Sequence, residues 1–451
     1  MVWPGRRRID RCVGGDAIRC VRRALPVARC LPWVLVVALV QGCGSRPPAR
    51  PGTADNMAYL YGQEASSMEF RARVHHLPDQ ASVIFFSLRT RDLLYKGDGD
   101  GPPFRASVRV TYEAFSDWNA RTLLDSSSTL VHDTRNGPGD DQELIGRMDL
   151  RRNERSSFVL RITAHDLNRN ARSTVLIDVD HADGGVRQDF LPMERDRDLP
   201  YFDDHFGGPI ALRIHCPRYA GRTLLAAHHP LDQRLPTPVF TDQGGPEPGV
   251  VPDSSFTVQV DAKGDLFLDL VRPGCYHLRP DSARSDGYSL FVLGAGHPYV
   301  ADAQGMVPAL RYITSMQEFD RIRNATDVRK AVEQFWLDAA GDRERARAAI
   351  RAYYGRVESA NRYFTAHVEG WRTDRGLVHI IFGTPTTIHR TARGEVWTYG
   401  EESNLMSTSF TFIRRSSPFT ANDLVLERDP LLKGAWYRNV ESWRNGRVLQ
   451  N

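Results

Sequence analysis

Apolar and polar positions alternate with a period of two through most of the chain, and only near the end does the period lengthen to that of a helix. From residue 57 to 195, strands are expected at Phe70 to Val74, Ser82 to Leu88, Ala106 to Tyr112, Phe158 to Ile162 and Thr174 to Val179. These runs are rich in β-branched and aromatic residues and are separated by Gly, Asp and Asn turns. From 198 to 305 a second set follows at Ile210 to Ile214, Phe256 to Val260, Leu266 to Leu270 and Tyr288 to Val292, with Gly264 expected to close a hairpin between the second and third. The pattern predicts two antiparallel β-sandwich domains, Ig-like or C2-like, the second smaller.

Near residue 326 the period becomes 3.6. Val328, Val332, Phe335 and Trp336 share one helical stripe, Gly341-Asp342 supplies a stop and a new N-cap, and Ile350, Tyr353, Tyr354, Val357, Ala360 and Phe364 form a second stripe. Beyond Gly370–Gly376 strands are expected at Leu377 to Phe382, Glu395 to Tyr399, Ser407 to Ile413 and Asp423 to Leu426, and Trp436, Val440 and Trp443 mark a last short helix. The economical arrangement is an α+β domain over 325–445, two helices packed on an antiparallel sheet. Gly370-Trp371-Arg372-Thr373-Asp374-Arg375-Gly376 is then a helix-to-sheet corner. In that reading Gly370 and Gly376 bend the chain, Trp371 fills the seam, Thr373 and Asp374 satisfy backbone N–H groups and Arg375 pairs with a carboxylate.

The front of the chain changes the picture of where the protein resides. Residues 1–42 hold eight Arg and two Asp, and the apolar run from Leu31 to Val40 is too short to span a bilayer, which suits a signal peptide. The following Val40-Gln41-Gly42-Cys43 resembles the lipobox of bacterial lipoproteins, which implies lipidation of Cys43. Residues 43–56, rich in Pro, Arg and Gly, read as a tether that cannot pack. Gly44 is not the Asp that retains such proteins at the inner membrane, so the expected address is the outer membrane, facing the periplasm.

Net charge removes one class of function. The whole chain carries +4; residues 1–42 account for +6, so the remainder is +4 − 6 = −2, and no clustered positive charge suggests nucleic acid. Expected partners are the membrane, through the lipid, and other envelope proteins, with no cofactor and no metal.

Candidate chemistry is sparse. Cys216 and Cys275 are the cysteines left behind Cys43, and in an oxidising compartment the pair is read as a disulfide in preference to a zinc site. His75-His76 and His228-His229 lie on strands, where neighbours point to opposite faces and rarely share an ion. The acidic loops at Asp98–Gly101 and Asp178–Gly184 are read as turns before Ca²⁺ sites, since neither has EF-hand spacing. Asp374, Arg375, His379 and Glu395 make the one constellation that an enzyme would use, so the alternative to a binding or scaffold protein is an envelope hydrolase acting near Asp374 and Glu395.

Tyr354, Arg356-Val357, Ala360-Asn361, Phe364, Gly370, Trp371, Thr373, Asp374, Arg375, Gly376, Ile380, Gly383, Pro385, Trp397 and Tyr399 together resemble the GWxTD domain, found in exported, often lipid-anchored bacterial proteins after β-rich regions. The resemblance covers 325–445 and implies an address and an architecture, with no established activity. The Leu337–Asp342 loop departs from the family's usual linker.

Overall fold

The computed structural model describes residues 6–8, 13–14 and 56–447, apart from 62–67, 79–80, 98, 100, 138, 152–155, 181–186, 242–250, 284, 402–403 and 405. Cys43, the lipobox, the apolar run and most of the tether therefore lie outside the described residues.

Two sheets enclose the first apolar core. One runs, in spatial order, Arg6–Arg8, Glu143–Leu150, Ser82–Arg89 and Phe70–His76; the other runs Ala171–Val179, Phe158–Asp166, Phe104–Phe115, Leu123–Arg135 and Val13–Gly14, with Lys96–Gly97 added beside Phe104–Phe115. Val74, Ile84, Phe86 and Leu88 of the first sheet meet Val108, Val110, Leu160 and Ile162 of the second, the apolar members of each alternating strand. Leu123–Arg135 and Glu143–Leu150 escaped the sequence reading. Leu123–Arg135 carries Asp125, Ser127, Thr129 and Asp133 on the same face as buried Val131, so its period-two signal is weak.

A second core lies between the sheet Leu191–Glu194, Ile210–His215, Asp265–Leu270 and the sheet His205–Phe206, Tyr288–Val292, Gly274–Arg279, Thr223–His229, Ser254–Gln259. Here the expected hairpin is corrected. Ser254–Gln259 pairs with Thr223–His229, whereas Asp265–Leu270 pairs with Ile210–His215, so the turn at Gly264 carries the chain from one sheet to the other. Gly264 does have the expected positive φ of 85°.

The C-terminal module contains six α-helices among the described residues: α1 Ala303–Leu310, α2 Met316–Arg323, α3 Val328–Ala340, α4 Arg343–Phe364, α5 Asp374–Phe382 and α6 Lys433–Arg444. A four-stranded antiparallel sheet, Thr387–Thr391, Gly394–Tyr399, Thr408–Arg414 and Leu424–Leu426, packs against them. The stop and cap between α3 and α4 form as the sequence implies: Gly341 is left-handed at φ 76° and the Asp342 carboxylate accepts from the Arg345 N–H.

Three differences from expectation matter for the site. Leu377 to Phe382 is helix, not strand. Every residue of α5 is buried, so its apolar run has no polar face from which a period can be read, and length alone favoured a strand. The helical layer is also larger than two helices, because α1, α2, α5 and α6 join α3 and α4 in one cluster. Finally, Met57 and Tyr61, expected at the head of the first β unit, pack in the C-terminal core instead.

Candidate functional site

The corner is built by close approach. A Cβ on Gly370 would collide with the Ala360 carbonyl of α4, and one on Gly376 would collide with the Gly370 carbonyl. Neither glycine has a positive φ, so the expected bend is corrected: their role is to let the α4 backbone and the turn at Gly370–Arg372 touch. The Asn361 side chain accepts from the Trp371 N–H at 3.2 Å, and the Thr365 hydroxyl accepts from the Gly370 N–H at 3.0 Å.

Thr373 caps α5. Its hydroxyl accepts from the Gly376 N–H at 3.0 Å and donates to the Gly370 carbonyl at 2.7 Å. Trp371 is 6% exposed and seats against Tyr312, whose hydroxyl donates to the Trp371 carbonyl at 2.9 Å. Its indole N–H donates to Glu369, and the Arg372 guanidinium lies 4.3 Å over its ring. Trp371 therefore locks the corner against the helical layer, not at the sheet.

Asp374 does not cap the turn. Its carboxylate accepts from the Leu426 N–H at 2.8 Å and from both terminal nitrogens of Arg428, at 3.2 and 2.6 Å, which ties α5 to the last strand of the sheet. Arg375 pairs with a carboxylate as expected. Its guanidinium reaches Glu395 at 3.3 Å and donates to the Asn422 carbonyl at 2.8 Å and side chain at 2.5 Å, beneath the Phe364 ring.

Glu395 is surrounded. Besides Arg375 it accepts from the Trp397 indole at 2.9 Å and from the Tyr61 hydroxyl at 3.0 Å, and Arg390 lies 3.6 Å away. Burial pushes its carboxyl up, but the two guanidinium charges and the donated hydrogen bonds outweigh it and hold the group below the usual range. Burial and the neighbouring Glu395 in turn raise the Tyr61 phenol to about 12.

His379 stands apart from both carboxylates, on the α4 side of α5. Its Nε2 meets the Ser359 hydroxyl at 3.1 Å, and burial, with the charge of Arg356, lowers it to about 3. Gly383 ends α5 at φ 89°, where a side chain would strike the Arg356 guanidinium, and its carbonyl accepts from the Tyr399 hydroxyl at 2.8 Å. Pro385 and Trp397 are buried behind it. The structure thus divides the proposed catalytic set into an Asp374–Arg428 pair, a Glu395 cluster and an isolated neutral imidazole. Among the described residues the one hydroxyl that His379 meets is that of Ser359, buried and remote from both carboxylates, and neither carboxylate opens onto solvent.

The expected disulfide is not formed. Cys216 and Cys275 are free, buried thiols. Cys216 lies in the second β core with Tyr276 and Leu278, whereas Cys275, one residue from Tyr276, points to the opposite face and packs with Phe291 and Leu293. Strand alternation separates them, and burial pushes both thiols up to about 12.

Among the described residues no group of three or more His, Cys, Asp or Glu is placed to hold a metal ion. His75 meets the Gln188 carbonyl and His76 the Ser82 hydroxyl, while His228 bonds Asp253.

Between the three units lies a cleft of 1950 Å³, lined among others by Tyr59, Tyr61, Arg71, Asp203, Arg362 and Asn422. Its walls are joined at named points. Arg73, Arg187 and the Tyr288 hydroxyl converge on buried Asp204 between the β units, and Phe419 of the C-terminal module wedges against His229 and His277 of the second.

Tyr61, Arg390, Asn422 and Arg428 carry this site and were not singled out in the sequence. Tyr61 and Glu395 are 334 positions apart, and nothing local to either announces the other. Asn361 was visible as part of the family pattern, without its role.

No curated protein matches the chain. No helix among the described residues is long and apolar enough to cross a membrane. The model of the GWxTD domain matches residues 274–445, beginning within the strand Gly274–Arg279 of the second β unit and ending just past α6. With the Gly-Trp-Arg-Thr-Asp turn, its helical layer and its sheet all inside that span, the chain is a GWxTD domain-containing protein.

Proposed function

We propose that this is a lipid-anchored, multidomain binding or scaffold protein of the bacterial outer membrane, facing the periplasm. Two Ig-like or C2-like sandwiches hold the GWxTD module beside a shared cleft. The observation that supports this reading best is the closed state of the signature: Asp374 and Glu395 are buried and each is engaged by arginine and hydrogen-bond donors. A general base needs an open lone pair, and these carboxylates have given theirs to the fold. The same observation removes support from a hydrolase at this position. The polar and aromatic cleft is left as the surface able to take a partner.

The test has an address arm and a partner arm. Replacing Cys43→Ser moves the protein from the membrane fraction to the soluble envelope fraction and abolishes fatty-acid labelling. A photocrosslinking residue at Arg362 or Asp203 in the cleft gives a discrete adduct with an envelope protein, and one at Leu431, 87% exposed elsewhere, gives none. Retention of the Cys43→Ser protein in membranes sinks the anchor, and adducts identical at all three positions sink the cleft.

A further inference from the structure

Residues 56–61 behave toward the GWxTD module as a bound peptide does. Asn56 meets the outer edge of the strand Thr387–Thr391 twice, its amide donating to the Thr386 carbonyl and its oxygen accepting from the Ile388 N–H, each at 3.0 Å. The Met57 N–H then donates to the Ile388 carbonyl at 2.8 Å. Two of these bonds run through the Asn56 side chain and one joins main chain to main chain, so the segment covers donors and acceptors at the free edge of the sheet. One 3₁₀ turn at Ala58–Leu60 carries the chain inward. Tyr61 then enters a ring-lined socket, with ring centres 5.5 Å from Tyr363, 5.0 Å from Phe364 and 5.9 Å from Trp397.

The floor of that socket does not depend on its occupant. Glu395 is positioned by Arg375, Arg390 and the Trp397 indole, all from the module itself. Tyr61 adds one hydroxyl to a carboxylate that is already ionised and oriented. Tyr59, Leu60 and Tyr61 also line the central cleft, so the socket is reached from the cleft without parting the helical layer from the sheet. The segment is held by the Asn56–Met57 edge contacts, by Met57 in the apolar core with Ala58 and Leu60 packed against it, and by the Tyr61 ring and hydroxyl.

We propose that the GWxTD module carries a peptide-binding site that reads a tyrosine hydroxyl, and that residues 56–61 fill it in cis as a displaceable strap. The ligand class is a peptide with a side-chain amide at the sheet edge and, after one tight turn, a tyrosine five residues later, the spacing of Asn56 and Tyr61. A phenylalanine in the tyrosine position leaves Glu395 short of a donor in a buried setting. The site is independent of lipidation at Cys43.

The test uses the full chain with its own strap weakened by Tyr61→Ala and, separately, by Asn56→Ala, folding being checked by tryptophan fluorescence. A labelled peptide of residues 54–63 is expected to bind a folded variant saturably. The same peptide with Tyr61→Phe binds roughly tenfold more weakly or worse, the loss of a hydrogen bond to a charged group. The Asn56→Ala chain guards against a Tyr61→Ala chain that fails to fold. No saturable uptake by any folded variant overturns the proposal, and equal binding of the tyrosine and phenylalanine peptides overturns the reading of the hydroxyl.

Discussion

At Asp374 a buried carboxylate meets one arginine and one backbone N–H, whereas one residue further on Arg375 enters a cluster in which Glu395 is served by two guanidinium groups, an indole and a phenol. The two sides of the α5 N-terminus therefore hold charge differently. The Asp374 side is made by the sheet's last strand and the residue two beyond it. The Glu395 side draws on the first two strands of the sheet, the loop at Asn422 and a segment from the other end of the chain. A charge with few partners is fragile, and a charge with many is redundant.

The largest expected effect follows from that contrast. Arg428→Ala leaves Asp374, 6% exposed, with only the Leu426 N–H, and costs about 3–5 kcal/mol. Arg375→Ala leaves Glu395 with Arg390, Tyr61 and Trp397 and costs less, about 2–3 kcal/mol. Five of the eight tryptophans lie in the C-terminal module, so denaturant unfolding followed by tryptophan fluorescence reports it. A larger loss for Arg375→Ala reverses the comparison.

Trp371 sits just before both pairs and belongs to neither. Trp371→Ala removes a buried ring from between Tyr312 and Arg372 and is expected to cost about 3 kcal/mol. The corner is a joint if function and melting temperature fall together. A Trp371→Ala protein that loses partner binding with its melting temperature unchanged makes the corner a site.

How much of this was legible divides along the same line. Where a wet face lies opposite a continuous apolar one, the period survived: the stripes of α3 and α4, the Gly341-Asp342 break and most strands of the β units are readable from spacing, whereas Leu123–Arg135, α1 and α2 are not. Where an element is dry on all sides the pattern vanishes, and α5 passed for a strand. The family motif drew attention to Trp371, Asp374 and Arg375 but not to what they touch, because Arg428, Asn422 and Tyr61 are selected by tertiary contact. The cysteine pair misled for a related reason: compartment and count favoured a bridge, but Cys216, just past a strand of one sheet, lies in the core between the two sheets, and strand alternation turns Cys275 to the outer face of the other.

The smallest effect is a pH dependence carried by α5 itself. His379 is lowered to about 3 by burial and by Arg356, whereas an unfolded histidine titrates near 6.5. Above about pH 6.5 both states are neutral and the residue contributes nothing to the slope; below it the unfolded chain takes up a proton that the folded protein refuses. Stability therefore falls with pH by up to about 1.4 kcal/mol per unit, or roughly 2 kcal/mol by pH 5. Glu395 is depressed below the ordinary carboxylate range, so its contribution persists through this window and is lost only in stronger acid. His379→Gln keeps a neutral polar group facing the Ser359 hydroxyl and removes one titrating site. His75 and His297, also lowered to about 3 by burial, and His76, His205 and His277, lowered by burial in the same direction, stay in place and set the remaining slope. Denaturant midpoints at pH 7, 6 and 5 should thus fall less steeply for His379→Gln than for the parent, and parallel lines would mean that the imidazole is protonated within the folded helix, a charge beside Arg356 that the packing of α5 on α4 forbids.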